Sequence, residues 1–167
     1  MIQLKDITDF TVLRLLQNGV SVTPLKLQKI LYYIQAWHMV YFNGDQLFAD
    51  VPEAWVNGPV YRNVYTRFKS VGIYTQILFR TLRLPYKSIE EAITAVTAKM
   101  QLSGQQHEFL ESIYRFYGTK SHDELVFLTH SEEPWNKARE GLSPLDYADN
   151  TISLATMRNY YANRLKK

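Results

Sequence analysis

Cysteine is missing altogether from this 167-residue chain. That excludes a disulfide framework, a thiolate zinc site and a cysteine nucleophile, and it fits a reducing compartment. No apolar run approaches the roughly 18 residues that a membrane helix needs. The opening residues, MIQLKDITDF, lack the basic start and apolar stretch of a signal peptide. The expected location is therefore the cytoplasm, with no membrane partner. There is no Gly-rich phosphate loop, no HExxH and no nucleophile elbow, so no cofactor is expected. Repeats, low-complexity tracts and long linkers are absent. A net charge of +3 is too weak to imply nucleic acid. Acid is scarce locally: Ala54 to Ile89 holds none, beside six cations, Arg62, Arg67, Lys69, Arg80, Arg83 and Lys87. Glu108 to Asp149 carries nine acids against four bases. The chain is either dipolar or carries two solvated helix faces.

What is present reads as one domain over residues 1–167, mainly α: a compact multi-helix fold with a few short strands or a small hairpin. A first helix fits 8–18, ended by Gly19. The second is the clearest. Thr23 is an N-cap and Pro24 sits at the first helical position. Leu27, Ile30, Leu31, Ile34, Trp37, His38 and Tyr41 then recur at spacings of three and four, up to Gly44. Trp37 and Trp55 are expected mostly buried, packing this helix against an irregular 46–57 segment that holds short strands at Leu47–Phe48 and Ala54–Val56. Asn57-Gly58-Pro59 punctuates, with Pro59 at the start of a third helix whose inward stripe is Val60, Val64, Phe68 and Val71. Residues 73–86 read as a hairpin or an irregular extended segment. Ser88…Glu91 and Ser121…Glu124 have the spacing of capping boxes, and Ser103 with Gln106 opens a further helix. Pro134 starts another turn, interrupted by Ser143-Pro144. Thr151 or Ser153 caps a last helix over about 153–166, where Arg164, Lys166 and Lys167 complement the dipole.

Four histidines are available. His122, Asp123 and His130 could be imagined as metal ligands, but nothing enforces that spacing, and hydrogen-bonded structural histidine is the simpler reading. No metal is expected. His38, beside Trp37, reads as a packed histidine with one nitrogen satisfied. His130 could cap carbonyls where a short helix ends; as a general base it lacks an identifiable nucleophile. Aromatic density is the unusual feature. Thirteen of the 23 aromatics fall between Tyr32 and Tyr86. Helix geometry is not expected to turn Tyr32, Tyr33, Tyr61 and Tyr65 all inward, leaving three readings: core, protein interface, or base stacking.

Two blocks of sequence carry a resemblance. The first contains Thr23-Pro24-Leu25-Lys26-Leu27-Gln28-Lys29, Tyr32-Tyr33, Gln35, Trp37-His38, Ala54-Trp55, Gly58-Pro59-Val60, Val64-Tyr65 and Phe68-Lys69. The second contains Tyr117-Gly118, Ser121, Leu125, Leu128-Thr129-His130 and Pro134-Trp135. Together they resemble the Panacea domain of SocA-like, prophage-associated antitoxins over about 23–139. Ile34-Gln35-Ala36 departs from the family's pattern of small residues. The resemblance implies a mainly helical fold and a type II toxin–antitoxin role, in phage defence among other settings. The chain would not be an enzyme; it would neutralise a co-encoded protein toxin by direct binding. It also implies that Thr23, Pro24, Trp37, His38, Trp55, Gly58, Pro59, His130, Pro134 and Trp135 are shared for structural reasons. One alternative is a proteolytic adaptor delivering the toxin to an ATP-dependent protease, with the basic C-terminus as a docking tail. A second is an enzyme acting through His130. The expected partner surface is the exposed side of the third helix and its approach: Tyr61, Arg62, Tyr65, Arg67 and Lys69, with Lys29 and Tyr33 as neighbours, forming an aromatic ridge edged by cations.

Overall fold

The computed structural model describes residues 1–166; Lys167, assigned above to the dipole-complementing tail, lies outside the described residues. The order is α1 (Leu4–Gln17), α2 (Pro24–Tyr41), β1 (Glu53–Trp55), β2 (Gly58–Val60), α3 (Arg62–Phe68), a 3₁₀ turn (Phe79–Leu82), α4 (Ile89–Met100), α5 (Gly104–Tyr117), α6 (His122–His130), α7 (Glu133–Ala138) and α8 (Leu154–Arg164). The fold is mainly α with one small antiparallel hairpin.

α2 is the post around which the rest is built. Thr23 accepts from the Lys26 N–H at 3.2 Å, and Pro24 occupies the first helical position. Every residue from Pro24 to Ala36 is buried. The helix touches α1, α3, β2, α5, α6 and α8. A helix covered on all sides needs no polar face, yet α2 carries several polar groups. They clamp irregular backbone that would otherwise lack partners. Gln28 accepts from the Tyr61 N–H at 2.8 Å and donates to the Tyr61 carbonyl at 3.1 Å. Gln35 accepts from the Leu47 N–H at 2.8 Å and donates to the Phe48 carbonyl at 2.6 Å. Lys26 Nζ donates to the Gly118 carbonyl at 2.6 Å. His38 lies between the Asp45 carbonyl, 2.7 Å from Nδ1, and the Gln106 amide, 3.0 Å from Nε2. Both ring nitrogens are engaged, one more than expected.

The hairpin pairs Glu53 with Val60 and Trp55 with Gly58. Gly58 closes the turn at φ +106°, in the left-handed region that favours glycine. Pro59 therefore lies in β2 rather than opening a helix; α3 starts at Arg62, after Gln28 has captured both polar groups of Tyr61. The other edge of β1 is covered by residues 150–152, through Ala54 N–H to Asn150 O at 2.7 Å and Ile152 N–H to Pro52 O at 2.8 Å. Residues 73–86 form no hairpin. They run as turns and the 3₁₀ segment, tied to the loop before α2 by Ile77 N–H to Val22 O at 2.8 Å.

Ser103–Gln106 and Ser121–Glu124 are reciprocal capping boxes. At α4 only half the box forms: Ser88 accepts from Glu91 N–H at 3.1 Å, but the Glu91 carboxylate takes the Lys87 N–H at 2.8 Å. Ser153, not Thr151, caps α8. Trp37 is half-buried and faces α5 and α8 rather than the 46–57 segment: its Nε1 donates to Tyr117 Oη at 2.8 Å, and its ring lies 5.3 Å from Tyr161. Trp55 is half-buried as well, against Tyr65.

Candidate functional site

The two sequence blocks meet at the hairpin. Trp135, on α7, donates from Nε1 to the Trp55 carbonyl at 2.8 Å, and His130 stacks on the Trp135 ring at 3.9 Å. Its ring caps no helix carbonyl; Asn136 accepts that task by donating to the His130 carbonyl at 2.7 Å. Burial first, then the nearby Lys29 ammonium, lower the His130 pKa. Arg139 donates to the Ala54 carbonyl at 2.8 Å and to the Asp146 carbonyl at 2.6 Å, which pins the 140–149 loop beside the hairpin. Pro134 is buried in the first turn of α7.

Lys29 is fully buried beneath this hairpin. Its ammonium donates to the Pro59 carbonyl at 3.0 Å, and a Cβ placed on Gly58 would lie 2.6 Å from Lys29 Cε and 2.9 Å from Thr129 Oγ1. Glycine is thus required twice at 58, for its φ and for the passing lysine. Desolvation pulls the Lys29 pKa down to about 7. The folded value is then below the unfolded one, so the unfolded chain binds the extra proton between them. Stability should rise with pH across that window, by at most about 1.4 kcal/mol per pH unit for one proton. Buried tyrosines such as Tyr32, Tyr114 and Tyr117 are held protonated by desolvation, so their contribution is lost above about pH 10. We expect the unfolding free energy to climb by about 1–2 kcal/mol from pH 7.5 to 9 and to fall only above about pH 10, and Lys29→Met to flatten the climb. A Lys29→Met profile with an unchanged climb would assign it to another group.

The expected partner surface comes apart under this geometry. Lys29, Tyr33 and Tyr61 are at most 1% exposed and face the core. Tyr32 is buried too, because α2 is covered on every side, so three of the four tyrosines in question do point inward. Tyr33 stacks on Tyr117 at 4.1 Å and donates to the buried carboxylate of Glu132. Tyr61 Oη has no hydrogen-bond partner among the described residues. Tyr61→Phe should therefore raise unfolding free energy by about 1 kcal/mol, measured by denaturant titration, since it removes a desolvated hydroxyl and no bond. Arg62 and Arg67 reach acids from elsewhere in the chain. Arg62 makes a two-point contact with Glu53, at 2.6 and 3.0 Å, and lies 3.6 Å from Asp149. Arg67 pairs with buried Asp9 on α1 at 2.6 Å and donates to the Leu82 carbonyl. Two of the six cations are thus ties within the fold.

Tyr65 and Lys69 remain accessible, and they line a cleft of about 270 Å³. Its floor is the stripe Val60, Val64 and Phe68, with Leu25 and Pro24 from α2. Trp55, Val56 and Asn57 of the hairpin, Ile73 and Tyr147 form its sides. The Trp55 and Tyr65 rings meet edge-on at 4.8 Å, and Arg62 lies over Trp55 at 5.3 Å. Sequence periodicity found the inward stripe, which is buried, but not the cleft that opens above it; Tyr147, far along the chain, gave no signal.

The sequence reading also missed Glu132. It is the N-cap residue of α7, yet its side chain turns inward and is 4% exposed. It accepts from Tyr33, from Tyr161 Oη at 3.0 Å and from Arg164 at 3.0 Å. Two adjacent glutamates in Ser131-Glu132-Glu133-Pro134 hide which one faces the core. His122 and His130 stand at opposite ends of α6, and no group of three or more histidines and carboxylates converges as a metal site among the described residues. Among those residues, no helix is long and apolar enough to cross a membrane.

A family model described as antitoxin SocA-like, Panacea domain, matches residues 27–136, from the first turn of α2 into α7. No curated protein and no solved structure matches the chain.

Proposed function

The chain belongs to the antitoxin SocA-like Panacea-domain family, and from that membership we propose that it is the antitoxin of a toxin–antitoxin pair, neutralising a co-encoded protein toxin by direct binding. The match over residues 27–136 carries the reading. The geometry supports it: of the family's motif residues, Lys29, Gly58, Pro59 and Trp135 hold the hairpin, and Trp55, Tyr65 and Lys69 line the cleft beside it, where a partner can reach them. Trp55, Tyr65, Lys69 and Tyr147 are the contact residues we assign, in place of the buried Lys29, Tyr33 and Tyr61. Trp55 and Tyr65 are half-buried and Tyr147 is exposed, and aromatic rings so placed give large contact area at low entropic cost.

The test is co-expression. The product of the adjacent open reading frame should arrest growth alone, grow normally beside this chain, and co-purify with it in a stable complex. Arrest that this chain does not relieve, with no complex formed, overturns the reading. Repeating the rescue in a host lacking its ATP-dependent proteases separates sequestration from delivery: a sequestering antitoxin still rescues, an adaptor does not. Arg164, part of the tail considered for docking a protease, is held by Glu132.

A further inference from the structure

We infer that the cleft beside the hairpin takes an aliphatic or aromatic side chain of the toxin whose neighbour in the chain is an aspartate or glutamate, and that this carboxylate pairs with Lys69. The inference rests on the antitoxin reading and names the partner chemistry of that same site.

Size speaks first. At about 270 Å³ the cleft lies below the roughly 300–1,000 Å³ of pockets that enclose drug-sized ligands. It has room for a bulky side chain or two. The surface around it extends the same chemistry. Tyr147 lines the cleft and is 74% exposed, and Leu145, two residues earlier on the same pinned loop, is 84% exposed. Arg139 fixes that loop to the hairpin through the Ala54 and Asp146 carbonyls. A small molecule sealed in the cleft would make no use of apolar side chains outside it; a polypeptide lying across them would.

Charge then gives the occupant its sign. Lys69 is the one charged residue lining the cleft, and it makes no ion pair among the described residues. The other cation nearby, Arg62, is held between Glu53 and Asp149 and has little charge to offer. A carboxylate is therefore favoured at the Lys69 end, a second cation is repelled there, and the pairing orients the incoming segment.

The test uses the full chain with ¹⁵N-labelled tryptophan, which gives three indole signals, from Trp37, Trp55 and Trp135. Three blocked hexapeptides serve as probes at millimolar concentration: Gly-Ser-Phe-Glu-Ser-Gly, its Phe-Lys counterpart, and a Gly-Glu counterpart without the aromatic ring. The Phe-Glu peptide should move the Trp55 indole signal saturably and leave Trp37 and Trp135 in place. The Phe-Lys peptide should bind about threefold more weakly, the scale of one exposed ion pair, and the Gly-Glu peptide should not saturate. Lys69→Glu should reverse the order of the first two. An unmoved Trp55 signal, or equal binding of the Phe-Glu and Phe-Lys peptides, overturns the inference. Growth rescue by the wild-type chain is scored separately. Rescue with an unmoved Trp55 signal sinks the cleft assignment alone; failure to rescue sinks the antitoxin reading whatever the peptides do.

Discussion

Glu132→Ala is expected to lose about 3–5 kcal/mol of unfolding free energy, the range for removing one member of a buried charged cluster. The carboxylate is 4% exposed and accepts from Tyr33, Tyr161 and Arg164. Most of the loss should come from the Tyr33 hydroxyl rather than the ion pair. Arg164 is 48% exposed and regains water when its partner goes. The Tyr33 hydroxyl is fully buried and loses its acceptor, at a cost of about 1–3 kcal/mol, whereas Tyr161 Oη keeps Tyr32 Oη at 3.1 Å. Glu132→Gln keeps one acceptor oxygen and should lose less than half as much. Glu132→Ala in a Tyr33→Phe background should be less damaging than the sum of the two, because the phenylalanine has no proton left to strand. Chemical denaturation of the four proteins checks this. Additive losses would mean that the hydroxyl finds another partner. Acid titration gives a second reading. Burial raises the Glu132 pKa, only partly offset by its donors. The folded state then holds the proton more tightly than the unfolded one, and this group's contribution falls as pH rises through its folded value. Glu132→Gln should remove that fall.

The pattern of α2 was readable because caps and period agreed: Thr23, Pro24 and an apolar repeat can mean little else. The same pattern misled on burial. Period 3.6 implies a wet face, and Lys26, Gln28, Lys29 and Gln35 look like one. They are instead buried donors and acceptors for the irregular backbone of residues 47–61 and 118. Whether a lysine meets water or a carbonyl is decided by elements distant in the chain. Pro59 failed for a related reason. Asn57-Gly58-Pro59 is equally a helix start or a tight hairpin turn, and the choice falls to Glu53 pairing with Val60. The capping box at Ser121 was legible because both partners lie within three residues; Ser103 with Gln106 was read only as a helix start, and the same spacing at Ser88 yields half a box because Glu91 takes the Lys87 N–H. The cleft was half legible. Val60, Val64 and Phe68 were found by spacing, and Tyr65 and Lys69 by their place beside that stripe. Tyr147 and the neutralising acids Glu53, Asp149 and Asp9 arrive from outside the segment. The acid-free stretch from Ala54 to Ile89 therefore overstated the positive charge of the surface.

Tyr65→Ala is expected to weaken binding of the toxin by about 3 kcal/mol, on the order of a hundredfold, the scale of an aromatic hot spot. The residue is half-buried, its ring stands edge-on to Trp55 at 4.8 Å, and it lines the cleft beside Lys69. Truncation removes one wall of the seat and frees Trp55 to turn, so the cost includes reorganisation as well as lost contact. Most of the effect should appear as faster dissociation, because the ring acts after encounter. Lys69→Glu should act chiefly on association, with a difference from wild type that shrinks as salt is added. Tyr61→Phe is the control: four residues earlier and equally aromatic, it faces the core, and its substitution should leave affinity unchanged. A rival account makes Tyr65 a purely structural residue that supports Trp55. Under it, Tyr65→Ala would lower the melting temperature sharply and Tyr65→Phe would restore it, with affinity following the folded fraction. Under the interface account, the affinity loss persists at temperatures where Tyr65→Ala is fully folded. Binding kinetics measured well below the melting transition, for wild type, Tyr65→Ala, Tyr65→Phe and Lys69→Glu, decide between them: equal dissociation rates for wild type and Tyr65→Ala would remove Tyr65 from the interface.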